Sequence, residues 1–316
     1  MTTSLRVQTV RYGRDAPGLL AMLGSVAAAT RVLRAGAADW AVTVAIGDCG
    51  GPEGPDAVVA EEVIAEAREM FARADITFDY VSFMTNTGHG AGQNLLANRT
   101  AETHRTGGER DVLVLLNPDT YLAPNCLATL VGVLDDDTVG IAEARQIPLE
   151  HPKFFDPVTG DTPWASGSLM AMRRSVFDVL GGFEPAFFLH GDDVDLSWRV
   201  RLGGLRVRHV PEAAVFHDKE LMVTGFPAPS PEEEYHVVLA RLLLGHRAER
   251  GDFVDWWLNW AEVNGSELHR GAAAEFLGKR AEGSLPLTYR EALGVSEEQV
   301  ASVAFFHEGE YAEHRF

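Results

Sequence analysis

The sequence predicts an α/β fold, a Rossmann-like, mostly parallel sheet flanked by helices, followed by a helical extension. Three observations carry that expectation. From residue 5 to about residue 144, short β-rich runs alternate with longer amphipathic stretches, the pattern of strands joined by crossover helices. The run Val112-Leu113-Val114-Leu115-Leu116 is apolar on both faces, as a central parallel strand needs to be. A Pro-Ala-Pro-Ser-Pro run at 227–231 marks a linker, because each proline lacks a backbone donor.

Taken in order, strands are expected at 5–10, 40–46, 78–83 and 111–116, with crossover helices at 16–34, 56–74 and 92–104. Parallel strands so connected take right-handed crossovers. Farther on, strands at 139–143, 167–172 and 205–209 and a strand-like run at 213–216 surround a turn-rich segment and a helix beginning near Asp192. This part is expected to complete the sheet and form the second wall of a cleft. Residues 232–260 read as helical, with Tyr235, Val238, Leu239, Leu242 and Leu243 on one stripe. The expected units are therefore 1–226 and a mainly helical 227–316.

Composition narrows the function. Of 316 residues, 46% are hydrophobic and 23% charged, the balance of a chain with a sizeable core. No run approaches the ~18 apolar residues of a spanning helix, and the first ten residues lack a signal layout, so no integral membrane segment is expected and a cytoplasmic location is. Cys49 and Cys126 have no metal-type spacing and read as packing residues. A net charge of -19 disfavours nucleic acid as a partner, although a bound cation can reverse the field inside a cleft.

Ligands of doubly wound sheets bind beyond the carboxyl ends of the strands, which directs attention to Tyr12, Asp48, Asn86 and the turn Asn117-Pro118-Asp119. Pro118 stops the strand and presents Asp119, a placement suited to a hard cation that also grips a diphosphate; taken alone, a turn-forming aspartate is the simpler reading. Asp48 precedes a glycine-rich stretch, where its carboxylate accepts either a pyrimidine imide proton or an Asx-turn amide. In Asn86-Thr87-Gly88-His89-Gly90-Ala91-Gly92-Gln93-Asn94 the glycines let backbone approach a ligand or simply turn into a helix cap. The spacing is not the dinucleotide fingerprint.

The richest segment runs from Trp164 to His217. Asp192, Asp193 and Asp195 lie within four positions, and such carboxylates need a helix N-terminus, a cation or a substrate to stay ionised together. On a helix Asp192 and Asp195 share a face while Asp193 is rotated toward the cleft. His217 is an isolated histidine, a residue type that is usually structural; opposite Asp119 it would help complete a coordination sphere for Mn²⁺ or Mg²⁺.

The ordered set of Asp48, Asn86-Thr87-Gly88 with Asn94, Asn117-Pro118-Asp119, Gly181-Gly182-Phe183-Glu184, Asp192-Asp193-Val194-Asp195-Leu196 with Arg199, Pro211 and His217 resembles family 2 glycosyltransferases, inverting enzymes of the GT-A fold. The resemblance spans about residues 5–219. It implies that Asp48 meets the nucleotide base and that Tyr12, Asn86, Gly88, Asn94 and Asn117 line the nucleotide pocket. It implies Asp119 and His217 as ligands of Mn²⁺ or Mg²⁺, and Asp193 as general base supported by Asp192 and Asp195. Trp164, Gly167 and Arg199 fall on the side of the donor sugar and acceptor. The implied donor is a dTDP- or UDP-sugar, dTDP-rhamnose first, and the acceptor is a hydroxyl on a glycan or small molecule. Where relatives carry Asp-x-Asp and Glu-Asp, this chain has Asn117-Pro118-Asp119 and Asp192-Asp193. Two other readings are an inert GT-A-like nucleotide-binding module and a sugar nucleotidyltransferase. In the extension, Phe253, Trp256, Trp257 and Trp260 suit packing, sugar stacking or a homodimer contact through the C-terminal helices, and a location peripheral to the inner membrane is also open.

Overall fold

The computed structural model describes residues 3–13, 16–36, 40–51, 58–101, 110–151, 153–219 and 230–303. The first half runs β1 (Thr3–Arg11), α1 (Ala16–Gly36), β2 (Trp40–Asp48), α2 (Glu61–Arg73), β3 (Thr77–Ser82), α3 (His89–Ala101) and β4 (Arg110–Leu116), the alternation expected. There follow β5 (Thr120–Leu122), α4 (Cys126–Val133), β6 (Val139–Ile147), β7 (Leu169–Arg173), α5 (Arg174–Val179), α6 (Asp192–Leu202) and β8 (Arg206–His217). Helices α7 (Pro231–Arg247), α8 (Gly251–Val263), α9 (Glu267–Glu282), α10 (Tyr289–Leu293) and α11 (Glu297–Val303) complete the described chain.

All eight strands form one sheet in the order β3-β2-β1-β4-β7-β6-β8-β5. Strands β1 to β4 pair in parallel, β7 is antiparallel to β4 and β6, β8 is parallel to β6, and β5 is antiparallel to β8. β4 sits centrally and is covered on both faces. Val112, Val114 and Leu116 join the core under α1, α2 and α4, whereas Leu113 and Leu115 join the core under α3, α5 and α6. Burying each such side chain contributes roughly 1.5–3 kcal/mol, which anchors the turn that follows.

Several boundaries differ from expectation for physical reasons. The runs at 205–209 and 213–216 are one strand: the register steps from Ala144 opposite Val210 to Arg145 opposite Ala214, so a bulge absorbs the exposed Pro211 without breaking the ladder. The helical stripe at 232–260 is two helices, because Glu249 takes a φ of 55° between α7 and α8. Of the proline run, 227–229 lie outside the described residues; Ser230 and Pro231 open α7 through a reciprocal capping box between Ser230 and Glu233. The expected starts and ends of the second and third helices at 56–57 and 102–104 also lie outside the described residues.

Helix α1 corrects the expectation about apolar runs. It has 21 residues and a mean hydropathy of 1.5, enough by length and composition to cross a bilayer. Its Leu19, Met22, Leu23, Val26, Ala29 and Leu33 are buried in the first core, as in the core helix of an α/β sheet. The C-terminal helices share a core with the sheet domain: Val194, Trp198 and Leu202 of α6 pack with Leu242 and Leu243 of α7, Trp257 of α8 and Phe276 of α9.

Candidate active site

The short β5 brings two predicted ligands together. Thr120 lies opposite His217 in the β5–β8 ladder, so the preceding Asp119 sits beside the histidine, with His217 Nε2 at 3.3 Å from Asp119 Oδ2. On its other side His217 Nδ1 lies 2.7 Å from Gln146 Oε1. Gln146 Nε2 donates to Glu150 Oε1 at 3.2 Å, and the Gln146 backbone N–H donates to Glu150 Oε2 at 2.8 Å. A carboxylate only accepts, so Glu150 fixes the amide orientation of Gln146, and Gln146 in turn draws the proton of His217 to Nδ1. The Nε2 side therefore faces a carboxylate oxygen, an arrangement completed by a cation or a proton. This is how an imidazole metal ligand is oriented by the groups behind it. Among the described residues no cluster of three or more His, Cys, Asp and Glu side chains forms a metal site, so Asp119 and His217 act as a pair.

Helix α6 presents the acidic motif, and its three aspartates separate. Asp192 is buried and accepts from His89 Nδ1 at 2.6 Å. Asp193 is half-buried; its Oδ2 accepts from the Gly167 amide at 2.9 Å and its Oδ1 from the Val194 amide at 2.8 Å. These two amides fix the carboxylate plane at the positive end of the helix. Asp195 is fully buried and does not support the motif from the cleft. It accepts from Arg199 Nε at 2.8 Å and Tyr289 Oη at 2.9 Å, and pairs with Arg247 at 3.0 Å. It thus ties α6 to α7 and α10. Arg199, expected on the sugar side, is committed to this tie and to the Leu180 carbonyl at 2.9 Å. Burial, then the adjacent Asp195 charge, pushes the Tyr289 phenol well above its ordinary pKa.

On the nucleotide side the structure redistributes roles. Asp48 ends β2 fully buried. It accepts from Arg11 at 2.8 Å, the Gly50 amide at 2.9 Å, the Val59 amide at 2.8 Å and Tyr80 Oη at 2.6 Å. Four donors occupy the carboxylate's four acceptor positions, so Asp48 shapes this loop rather than offering an oxygen to a base. Burial and the Asp48 hydrogen bond raise the Tyr80 pKa. Asn94 is likewise corrected: its Nδ2 donates to the Phe183 carbonyl and its Oδ1 accepts from the Phe183 amide, both at 2.8 Å. It clamps the Gly181-Gly182-Phe183 turn, and a Cβ on Gly182 would lie 2.3 Å from Asn94 Oδ1.

Tyr12 and Asn86 are exposed just beyond β1 and β3, and Asn86 Oδ1 accepts from the Gly88 amide at 3.1 Å. Gly88 has a φ of +74° and would place a Cβ 2.4 Å from the Phe188 carbonyl, so only glycine closes this loop. Asn117 is half-buried at the end of β4, and its carbonyl accepts from Thr120 Oγ1 at 2.7 Å. Trp164 is buried beneath Lys153, whose Nζ lies 4.4 Å from the ring centre, so its face is not open to a sugar. Gly167 contributes its amide to Asp193. Glu143, beneath them, is buried with Lys153, the Ser166 amide and His209. Burial works against its charge, but Lys153 and these hydrogen bonds hold its pKa below the ordinary value.

Sequence reasoning missed His89, Gln93, Gln146 and Arg247. His89 stood inside the glycine-rich loop, and its position at the first turn of α3 was the available signal. Burial opposes charging His89, but Asp192, then Asp193 and Asp119, raise its pKa above the ordinary imidazole value. Gly167, whose amide donates to Asp193, stands against His89 Cε1, so Asp192 and Asp193 flank the same imidazole. Gln146 and Arg247 acquire roles only through long-range contacts. In the extension, Trp257 is buried under Arg241 at 4.1 Å while Trp256 is half exposed.

Comparison with known proteins places this geometry. No family model matches the chain. It is 26% identical over 173 residues to an N-acetylglucosaminyl-diphospho-decaprenol L-rhamnosyltransferase of Mycobacterium tuberculosis, covering 42% of this chain and 56% of that protein. It is 24% identical over 162 residues to the rhamnosyltransferase WbbL of Escherichia coli, covering 41% of this chain and 60% of that protein. The chain thus matches little more than half the length of these relatives. Among solved structures, GalNAc-T7 with UDP, GalNAc and Mn²⁺ superposes with a TM-score of 0.58 at 16% identity, covering 96% of this chain and 58% of that one. The architecture is therefore the GT-A fold of glycosyltransferases. Over less than half of its length the chain is similar in sequence to rhamnosyltransferases.

Proposed function

We propose that the chain is an inverting, metal-dependent glycosyltransferase that moves a sugar, rhamnose first, from a dTDP- or UDP-linked donor to a hydroxyl of a glycan or small molecule. The observation that carries this reading is the facing pair Asp119 and His217, together with the half-buried Asp193, whose partner Gly167 adjoins Ser168, the acceptor of the Asn117 amide at 3.0 Å. The similarity to rhamnosyltransferases supports the sugar, and the UDP and Mn²⁺ bound by GalNAc-T7 in the same fold support the nucleotide and the metal. In a chain of net charge -19, a cation bound at this pair would also reverse the local field toward a diphosphate.

Asp119 and His217 fit a divalent ion: one hard oxygen and one imidazole nitrogen whose far side is already hydrogen-bonded. When bound there, Mn²⁺ or Mg²⁺ supplies positive charge that stabilises a departing diphosphate. This chain's own residues supply the rest. Asp193 takes the proton of the acceptor hydroxyl as its oxygen forms the bond to the anomeric carbon. The carbon–oxygen bond to the diphosphate breaks, and the nucleoside diphosphate leaves with the electron pair, inverting the centre. Backbone amides of Gly167 and Val194 keep the carboxylate aimed during that transfer. In this reading residues 1–226 bind the donor and 227–316 brace α6, with dimerisation through the C-terminal helices supported by the half-exposed Trp256. In the same reading the chain works in the cytoplasm, free or at the periphery of the inner membrane.

Product analysis tests the reading. Incubation with dTDP-rhamnose or UDP-sugars and Mn²⁺ is expected to release dTDP or UDP, even with water as the acceptor. Pyrophosphate as the product from sugar phosphate and nucleoside triphosphate would indicate nucleotidyl transfer, and absence of any product would indicate an inert binder.

A further inference from the structure

A buried chain of hydrogen bonds runs from β1 to the acidic motif, and its polarity is set at one end. Arg6 is buried and its guanidinium can only donate. Its Nε donates to Gln8 Oε1 at 3.0 Å. Gln8 Nε2 must therefore be the donor to Gln93, reaching Gln93 Oε1 and the Gln93 carbonyl at 2.9 Å each. Gln93 Nε2 then points at His89 Nε2, 3.3 Å away. His89 is left with Nδ1 as its donor, and Nδ1 lies 2.6 Å from Asp192 Oδ2. Each amide orientation follows from the one before it, through the three residues behind His89.

The local packing is built around that last contact. Gly90, in the first turn of α3, faces the start of α6, and a Cβ there would stand 2.9 Å from Phe183 Cβ and 3.2 Å from Asp192 Oδ2. The His89 ring is braced edge-on by Phe183, with centroids 5.6 Å apart. Its Cε1 lies 3.4 Å from the point where a Gly167 Cβ would stand, and Asp193 Cβ is 3.6 Å from the same point. The charged groups facing His89 are Asp192 and Asp193 from α6 and Asp119 from the turn after β4.

We propose that His89 is a positioning residue: the relay Arg6-Gln8-Gln93 fixes its proton on Nδ1, and the resulting bond to Asp192 pins the first turn of α6 so that Asp193 meets the acceptor hydroxyl. The inference rests on the transferase reading for its kinetic consequence, whereas the relay itself is a structural claim. Helix geometry turns Asp192 inward and Asp193 toward the cleft, and a carboxylate buried as Asp192 is needs a donor to stay ionised. His89 is that donor, and Asp193 remains as the proton acceptor.

The test has two arms on the intact chain. Nitrogen-15 NMR of the histidine side chains, with His89 assigned through a His89→Asn variant, is expected to show a proton on Nδ1 in the native protein. A bare Nδ1 with the proton on Nε2 overturns the proposal whatever the activity. In the kinetic arm, donor turnover to water is compared for native protein, His89→Leu and His89→Asn, each checked for a native melting transition. Loss of the Asp192 contact in His89→Leu is expected to lower kcat about 10- to 100-fold with KM for the donor little changed, and His89→Asn, whose amide can reach Asp192, restores most of it. A native kcat in His89→Leu, or equal impairment in both variants, contradicts the positioning role. Failure of the transferase reading shows differently, as no turnover in the native protein, and the spectroscopic arm then decides the relay alone.

Discussion

Replacing Asp195 by asparagine separates the structural from the chemical aspartates of α6. Asp195 is fully buried and answers three groups at once: Arg199, Tyr289 and Arg247. Asparagine keeps the volume and one acceptor oxygen but removes the charge and turns an amide N–H₂ toward a guanidinium. Removing one partner of a buried pair costs about 3–5 kcal/mol, because the remaining charge is left uncompensated. Arg247 retains Glu184 at 3.0 Å, whereas Arg199 retains only the Leu180 carbonyl, so the lower end of that range applies. At roughly 2–3 °C per kcal/mol for a chain of this size, Tm is expected to fall by about 6–10 °C in a calorimetric scan. Nucleotide binding measured well below that temperature is expected to survive. A variant that melts like the native protein yet no longer binds nucleotide would refute the assignment of Asp195 to the α6–α7–α10 tie and return it to the cleft.

Other consequences follow from the same geometry. Asp193→Asn is expected to keep nucleotide binding while lowering turnover by roughly 10²–10⁴, the scale of a lost general base; equal activity removes Asp193 from that role. Gln146→Leu takes away the acceptor that holds the His217 proton on Nδ1, and metal-dependent nucleotide affinity should drop about 10- to 100-fold, measured by titration with and without Mn²⁺. Glu143 has a folded-state pKa below its ordinary 4.5, so its contribution to stability is present above about pH 4.5 and is lost as pH falls through the lowered value. Thermal scans from pH 7 down to pH 3 should therefore show a smaller acid-induced drop in Glu143→Gln than in the native chain; parallel curves contradict the buried Glu143–Lys153 pair.

The parallel half of the fold was legible because local patterns specify it: β-rich runs, amphipathic crossovers and the two-sided apolar run at 112–116. The candidate site was legible where a residue stands at the end of its own strand or helix, as with Asp119 beside His217 and the half-buried Asp193. Local pattern could not reveal β5, a three-residue strand whose ladder partner is the distant β8 and whose Leu122 amide donates to Ser25 of α1, yet β5 brings Asp119 to His217. Nor could it distinguish Asp195 from its neighbours, since the distinction depends on Arg247 and Tyr289, more than fifty and more than ninety positions away. Asn94 and Asp48 were misread in the same way: their motif positions suggest ligand contacts, but the backbone of Phe183 and the loop after β2 reach them first. Polar residues such as the buried Asp48 and the half-buried Asn94 brace turns, and only their partners reveal it.

The central claim is that Asp119 and His217 form a cation-dependent nucleotide site, and calorimetric titration of dTDP, UDP and GDP, each with Mn²⁺ and with EDTA, tests it without knowledge of the acceptor. The account expects one pyrimidine diphosphate to bind with Mn²⁺, to lose that binding in EDTA, and to bind weakly with Mn²⁺ to His217→Ala. Binding that is equal in Mn²⁺ and EDTA, or no binding of any of the three, would contradict it.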